Sequence, residues 1–599
     1  KGNLNPFENE NIVICSYQFA RAKEPYIKKI EWDLVIIDEA HRLRNVYKPG
    51  NKIASAIKSA LSERKKVLLT ATPLQNSLLE LYGLVSIIDE YTFGSVKSFK
   101  QNYTRESSDD FAELKNRLAP LCQRTLRRQV LEYINYTNRR AILEEFSPYR
   151  EEQELYDLVS EYLRSDNLYA LPAGQRTLMT LVLRKLLASS TFAISHTLEG
   201  LVDKLNALEN LRGQTKVEEI AEDLDDLEDY VDEWEESAAE RETLDDDEDS
   251  ISETQTPYYT DVQREEIGKE RERLAQFVTL AKSITKNSKG EKLITALTKG
   301  FEQLHELGSP QKAIIFTESK RTQQYLVQIL KEHRPDDVLV LFNGNNNDAQ
   351  SMAIYNAWVN KHMGTDMVTG SKTADMRQAI VEYFRDTATI MIATEAAAEG
   401  INLQFCSFVV NYDMPWNPQR IEQRIGRCHR YGQKHDVVVL NFLNIENEAD
   451  RRVYQLLDEK FRLFSGVFGA SDEVLGTIGS GIDFEKRIAN IYKSCRTPEE
   501  IKRAFDELQK DLNPEIETKL DVTRKKLLEN FDEDVTTKLR INLETGKEYL
   551  NRYEQWLWAI TQYYLRDNAH FDHSENSFTL LHNPFPEEII HAGPYLLLR

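Results

Sequence analysis

The feature that most limits how this chain folds is a set of short apolar runs rich in Val and Ile: Asn11-Ile-Val-Ile-Cys15, Leu34-Val-Ile-Ile37, Val67-Leu-Leu69, Ala313-Ile-Ile-Phe316, Val338-Leu-Val-Leu341, Ile390-Met-Ile-Ala393, Phe408-Val-Val410 and Val437-Val-Val-Leu440. Runs without polar alternation suit strands buried on both faces, and helical patterns separate many of them. That combination predicts parallel sheets covered by helices. The runs fall before residue 75 and between 310 and 445, so the expected fold class is α/β with two parallel-sheet lobes.

Between the two groups, Glu151 to Leu187 has helical periodicity, with Leu155, Leu158, Val159, Tyr162 and Leu163 on one face. From Thr523 to Tyr564 long amphipathic helices are expected. Their aromatic stripe of Tyr549, Tyr553, Trp556, Ile560 and Tyr563 suits helix packing better than base stacking. The expected organisation is 1–130 for the C-terminal part of the first lobe and 131–287 for a helical insert. The second lobe follows over 288–465, and 466–599 forms a helical C-terminal region, expected to be truncated as it enters another strand at Gly593.

Net charge misleads here until it is located. The chain has 98 acidic and 76 basic residues, a balance of −22, but residues 218–253 hold 20 carboxylates against one base, Arg241. That segment repels itself and has little apolar surface to offset the entropy of ordering, so a solvated loop or frayed helix is expected. The alternative is a nucleic-acid mimic that occupies a basic groove. The rest of the chain is nearly neutral, with arginines gathered at Arg124, Arg127, Arg128, Arg424, Arg427 and Arg430. No apolar stretch approaches a membrane span and the start has no signal pattern, so a cytoplasmic or nucleoid protein without a membrane partner is expected. The five scattered cysteines form no CxxC pair and suggest neither disulfides nor zinc.

The chemistry-bearing residues lie where strands end. Leu34-Val-Ile-Ile37 delivers Asp38-Glu39-Ala40-His41 to a strand's C-terminal edge, where open α/β sheets bind ligands. One carboxylate can hold Mg²⁺ while the next polarises an attacking water, as triphosphate hydrolysis requires. The next strand stops at Thr70-Ala-Thr72-Pro73, whose hydroxyls can reach the carboxylates or His41. In the second group, Thr394 ends a strand before Glu399-Gly400. Then comes Glu422-Gln423-Arg424-Ile-Gly426-Arg427-Cys-His-Arg430, whose arginines, three apart, would line one helix face and aim at phosphoryl oxygens.

In this order the segments resemble helicase superfamily two, and within it the Snf-type (Swi/Snf-like) DNA translocase ATPases, nearest to bacterial RapA-like members. VIIDEAHRLRN (35–45) is similar to motif II, a DEAH box, and LLTATPLQNSLLELYGL (68–84) to motif III. KAIIFTES (312–319) resembles motif IV, ATEAAAEGINLQ (393–404) motif V, and QRIGRCHRYGQ (423–433) motif VI; Asp413-Met-Pro-Trp416-Asn417-Pro418 matches its lead-in and LRRQV (126–130) the basic segment after the first lobe. The resemblance implies two RecA-like lobes sandwiching ATP with Mg²⁺ at Asp38 and Glu39, and Arg427 and Arg430 as arginine fingers. Gly400, Glu399 and Gln423 would border the nucleotide. His41, Thr70 and Thr72 would couple hydrolysis to movement, and Ser16, Tyr17, Arg127, Arg128, Thr394 and Trp416 would contact double-stranded DNA, largely without regard to sequence.

One departure stands out. Nothing ahead of Asp38 contains the Gly-Lys-Ser/Thr of a phosphate-cradling loop, so the first lobe is expected to be incomplete and the chain as given to bind ATP poorly and not turn it over. Gly370-Ser-Lys372-Thr373 has the wrong glycine spacing, follows no strand, and is read as a polar loop. The function expected of the intact protein is ATP-driven translocation on duplex DNA with displacement of RNA polymerase or another bound protein. A strand-separating helicase and a non-catalytic RecA-like scaffold are the alternatives.

Overall fold

The computed structural model describes residues 5, 7, 8, 12–48, 51–70, 78–103, 113–122, 137–165, 168–171, 176–209, 261–394, 400–460, 463, 481–517, 557–572, 577–582 and 593–596, apart from 63, 115, 366, 431 and 496. The chain divides into two compact units, 1–110 with 134–521, and 111–133 with 522–599. The acidic segment 218–253 lies outside the described residues.

Six strands of the first unit form one parallel sheet: β3 (Arg139–Phe146), β4 (Ala313–Thr317), β5 (Leu339–Phe342), β6 (Ile390–Thr394), β7 (Phe408–Asn411) and β8 (Val437–Asn444), in the order β3-β8-β7-β4-β6-β5. The period of two in each strand splits its side chains between two cores. Ile314, Phe316, Val409 and Val439 pack with Ile380, Phe384, Ile421 and Ile425 on one face. Ala313, Ile315, Val410 and Val438 pack with Leu293, Leu297, Leu326 and Leu330 on the other. Burial on both faces is why these strands read as unbroken apolar runs.

β3 corrects the expectation of a wholly helical segment over 131–287. It pairs in parallel with β8 from Arg139↔Val437 to Phe146↔Asn444. As an edge strand it carries charge that breaks up the apolar run, and Glu144 is clasped by Lys299 of the helix Ser288–Glu306 at 2.9 Å. Beyond it, the helices Arg150–Leu163, Arg176–Ser189, Thr191–Glu209 and Asp261–Ser283 share a core of Leu155, Leu183, Leu198 and Leu274.

The first-lobe part is smaller. β1 (Val35–Ile37) and β2 (Lys66–Leu68) pair in parallel, with the helix Lys52–Ala60 between them in sequence and Leu78–Ile88 after them. Residues 12–15, expected as part of a strand, form neither strand nor helix. In the second unit, β9 (Ala569–Asp572), β10 (Ser577–Leu580) and β11 (Gly593–Leu596) form an antiparallel sheet, so the C-terminal region is not purely helical. Of the aromatic stripe, Tyr549, Tyr553 and Trp556 lie outside the described residues, and Ile560 and Tyr563 are exposed. Trp558 packs edge-on against Phe571 instead.

A close approach fixes the motif III helix against the turn after motif II: a Cβ built on Gly83 would lie 1.8 Å from the Arg44 carbonyl oxygen. Backbone cannot yield as a flexible side chain can. Gly83→Ala is therefore expected to destabilise the protein by about 1–3 kcal/mol, measured by chemical denaturation; an unchanged midpoint would show that the two segments do not press on each other.

Candidate active site

The chain leaves β1 through a turn that is held from three sides. Glu39 adopts φ +50°, a left-handed conformation uncommon for a residue with a side chain. The Asp38 carboxylate accepts the Glu39 N–H at 2.9 Å, and the Tyr17 hydroxyl donates to the Asp38 carbonyl at 2.6 Å. The Leu69 N–H donates to the Ile37 carbonyl and the Ala40 N–H to the Leu69 carbonyl, so the turn is fastened to the end of β2 just before Thr70.

His41 Nδ1 lies 3.2 Å from Glu39 Oε2. This neighbour is the main influence that holds the Glu39 carboxyl below its ordinary value, against partial desolvation and with help from Arg42 and Arg427. The last is informative, because Arg427 belongs to the helix Pro418–Cys428 of the second sheet. Its charge is the weakest of the influences on that carboxylate.

Of the three arginines expected on one face, the structure separates one. Ile421, Ile425 and Cys428 define the buried face of their helix, and Arg424 lies on it, buried. Arg424 Nη1 donates to the Asp413 carbonyl at 2.5 Å, and its guanidinium lies 5.2 Å from the centre of the Phe316 ring. Arg427 is half-buried and Arg430 exposed; the helix ends at Cys428, and Arg430 Nε turns back to the Gly426 carbonyl at 2.8 Å. Gln423 is exposed and Gly400 has φ +76°, which suits glycine.

The expected DNA-facing residues differ in exposure: Ser16 is exposed and Tyr17 half-buried, whereas Thr394 and Trp416 are buried. Ser16 caps the helix Tyr17–Ala22 by accepting the Phe19 N–H. Thr394 is fully buried because β6 lies between β4 and β5, and Trp416 is only 7% exposed. Thr72, Arg127, Arg128 and Glu399 lie outside the described residues. Gly370-Ser-Lys372-Thr373 is a helix entry: the Asp375 carboxylate accepts the Thr369 and Gly370 N–H groups that a phosphate would need.

Two supporting sets of contacts escaped the sequence reading. Arg139, buried in β3, makes a two-pronged pair with Glu422 of the motif VI helix at 2.6 and 2.7 Å. Asp413 is deeply buried and accepts from Lys289 at 3.1 Å, Thr317 at 2.6 Å, Ser189 at 2.8 Å and the Glu318 N–H at 3.0 Å. Burial raises its carboxyl, but Lys289 and these donors prevail and hold it below the ordinary value. The match to motif VI's lead-in already covered Asp413; only its partners, far away in sequence, were hidden.

Residues 3–193 match the SNF2-related domain and residues 321–432 the helicase conserved C-terminal domain. The chain belongs to the SNF2-type ATPases of helicase superfamily two. The uncharacterized ATP-dependent helicase YqhH of Bacillus subtilis is 29% identical over 84% of this chain and 72% of its own length. Human chromodomain-helicase-DNA-binding protein 6 is 23% identical over 78% of this chain, which spans 14% of that protein. The yeast ISWI chromatin-remodeling complex ATPase ISW1 is also 23% identical, over 76% of this chain and 31% of its own. Among solved structures, the Sulfolobus solfataricus SWI2/SNF2 ATPase core in complex with dsDNA aligns with 82% of this chain and 75% of its own at 16% identity and a TM-score of 0.28. The family is one of ATP-hydrolysing, DNA-dependent enzymes. Among the described residues, no helix is long and apolar enough to cross a membrane.

Three outcomes test the site's electrostatics. Lys289→Met strands a buried carboxylate and is expected to lower stability by about 3–5 kcal/mol, with Asp413→Asn in the same chain recovering part of it. The depressed Asp413 carboxyl adds stability above the ordinary Asp value of 3.8, lost as pH falls through its folded value; acid unfolding of Asp413→Asn should therefore lack that component. For Glu39, whose carboxyl His41 holds below 4.5, replacing His41 with Ala is expected to move the acid limb of the ATPase pH profile upward, and an unmoved limb would contradict the pairing.

Proposed function

We propose that this chain is the motor of an ATP-dependent translocase on double-stranded DNA that displaces or remodels bound protein. The observation that carries the reading is the pair of carboxylates, Asp38 and Glu39, that β1 delivers in a turn tied to β2, with the charge of Arg427 from the second sheet as the weakest of the influences on Glu39. Phosphoryl transfer needs a pairing of a water-positioning carboxylate with a cation that stabilises charge on the transferred group.

Asp38 and Glu39 offer adjacent oxygen donors, and Mg²⁺ is commonly held by one or two carboxylates with water and phosphate completing its shell, so the donor set fits. Bound there, the ion would offset charge on the β- and γ-phosphates. Glu39, kept ionised by His41, would orient the attacking water and accept its proton. Arg427 would meet the developing charge, with Arg430 nearby in sequence. Gly400, Glu399 and Gln423 would border the nucleotide; the phosphate loop is not among the residues ahead of Asp38.

Coupling to the track would run through the Tyr17–Asp38 hydrogen bond, since a DNA contact at Ser16 and Tyr17 pulls on the turn that carries the carboxylates. Thr70 sits one residue past the tie between β2 and Ala40. The name of the human relative, a DNA-binding helicase, supports DNA as the partner.

In the full-length protein, Glu39→Gln or Arg427→Ala is expected to reduce DNA-stimulated ATP turnover by about 10³-fold while duplex affinity changes little. Near-normal turnover would overturn the site assignment. Displacement of a triplex strand without separation of the duplex would support translocation, separation of the duplex would make the protein a helicase, and duplex binding with no hydrolysis would leave a scaffold.

A further inference from the structure

Arg139 stands at the start of β3 with its side chain almost wholly buried. Its guanidinium makes four bonds. Nη1 and Nη2 donate to the two Glu422 carboxylate oxygens at 2.7 and 2.6 Å, Nη1 also donates to the Leu463 carbonyl at 2.8 Å, and Nε donates to His429 Nδ1 at 3.1 Å. With Nδ1 accepting, the ring proton sits on Nε2, which donates to the Thr137 carbonyl at 2.7 Å. The opening of β3 therefore holds His429 through a side chain and through the backbone.

These two grips fall on either side of Arg427. Glu422 precedes it in the helix Pro418–Cys428, and His429 caps that helix just after it, donating its backbone N–H to the Ile425 carbonyl at 2.8 Å. A helix held at one point can rock; one held on both sides of a residue keeps the backbone of that residue in place. Glu422 and Arg427 project about 140° apart round the helix, so a hold on the one fixes the other through the backbone. Misplacing a reacting group by about 1 Å can cost about 100-fold in rate, which makes such a hold count in turnover as well as in stability.

Resting on the role given to Arg427 above, we propose that Arg139 is a positioning residue for ATP hydrolysis: by gripping Glu422 and His429 it sets Arg427 for the transferred phosphoryl group. Lysine cannot replace it. Only a planar fork meets both oxygens of a carboxylate at once, and the three donors of an ammonium cannot serve four acceptors. The same strand supplies a control, because the pair of Glu144 with Lys299 ties β3 at 2.9 Å to a different helix, Ser288–Glu306.

The test uses the full-length protein, with rates taken per folded molecule. Arg139→Lys and Glu422→Gln are each expected to lower DNA-stimulated kcat about ten-fold or more, while the KM for ATP and the duplex affinity change less than about two-fold. Lys299→Met is expected to lower the melting temperature and leave kcat unchanged. In an Arg427→Ala background, Arg139→Lys should add no further loss, since the group it positions is gone. Hydrogen exchange gives a reading that needs no turnover: the amides of 418–430 should exchange faster in Arg139→Lys and Glu422→Gln but not in Lys299→Met. Unchanged kcat in both variants, an equal loss in Lys299→Met, an undiminished further loss in the Arg427→Ala background, or unchanged exchange in the helix would overturn the proposal. Should Arg139→Lys fail to fold, Glu422→Gln carries every arm, its side chain being 12% exposed against 1% for Arg139. Near-normal turnover by Arg427→Ala with Arg139 intact would instead defeat the site assignment of the motor, an outcome told apart by the exchange result, which does not depend on turnover.

Discussion

A carboxylate taken out of water stays charged only where protein donors replace its hydration, and Asp413 is such a group. Its four donors come from three places in the chain: Ser189 in the insert, Lys289 at the start of the helix Ser288–Glu306, and Thr317 at the tip of β4 with the backbone of Glu318 next to it. On its other side, the carbonyl of the same residue receives Arg424 from the motif VI helix. The insert is thereby referenced to the helix that carries Arg427. Hydrophobic contacts alone would permit sliding; a buried charge with directional partners does not.

The same logic runs through Arg139, whose guanidinium fixes the motif VI helix to β3 by two short bonds to Glu422 while also reaching the Leu463 carbonyl. Two buried charges therefore fix the helix that carries a third, Arg427, which is left half-buried. The arginines of one short helix differ in burial: Arg424 is anchored on the Asp413 carbonyl and Arg427 is left half-buried.

How much of this was legible depended on whether a signal was local. Strands β4 to β8 were plain because burial on both faces leaves an unbroken apolar run, and Asp38-Glu39 was plain because a strand delivers both carboxylates. β3 was missed because an edge strand with Arg139, Arg140, Glu144 and Glu145 has no apolar run to show. Arg424 was misread because equal spacing of three arginines conceals which of them shares a face with Ile421 and Ile425. The partners of Asp413 and Arg139 lie about 100 to 300 residues away in sequence, and pattern reading within a window cannot reach them. Strands β9 and β10 of the second unit were hidden for a further reason: they are four residues each, too short for a periodicity, whereas β11 begins at Gly593, where a strand was expected.

The pairing of β3 with β8 has a consequence for how the second lobe is made. A ribosome delivers Arg139 nearly 300 residues before Val437, its partner in the ladder. The intervening chain, with four long insert helices and four of the sheet's strands, emerges while β3 waits at the edge of an unfinished sheet. Closing so long a loop costs entropy only logarithmically, but the contact cannot form until the last strand appears, so the lobe completes late and as a unit. Until then an unpaired strand edge is exposed. The charges that hid β3 from the sequence pattern, notably Arg140, Glu144 and Glu145, are the ones that keep such an edge soluble during that interval.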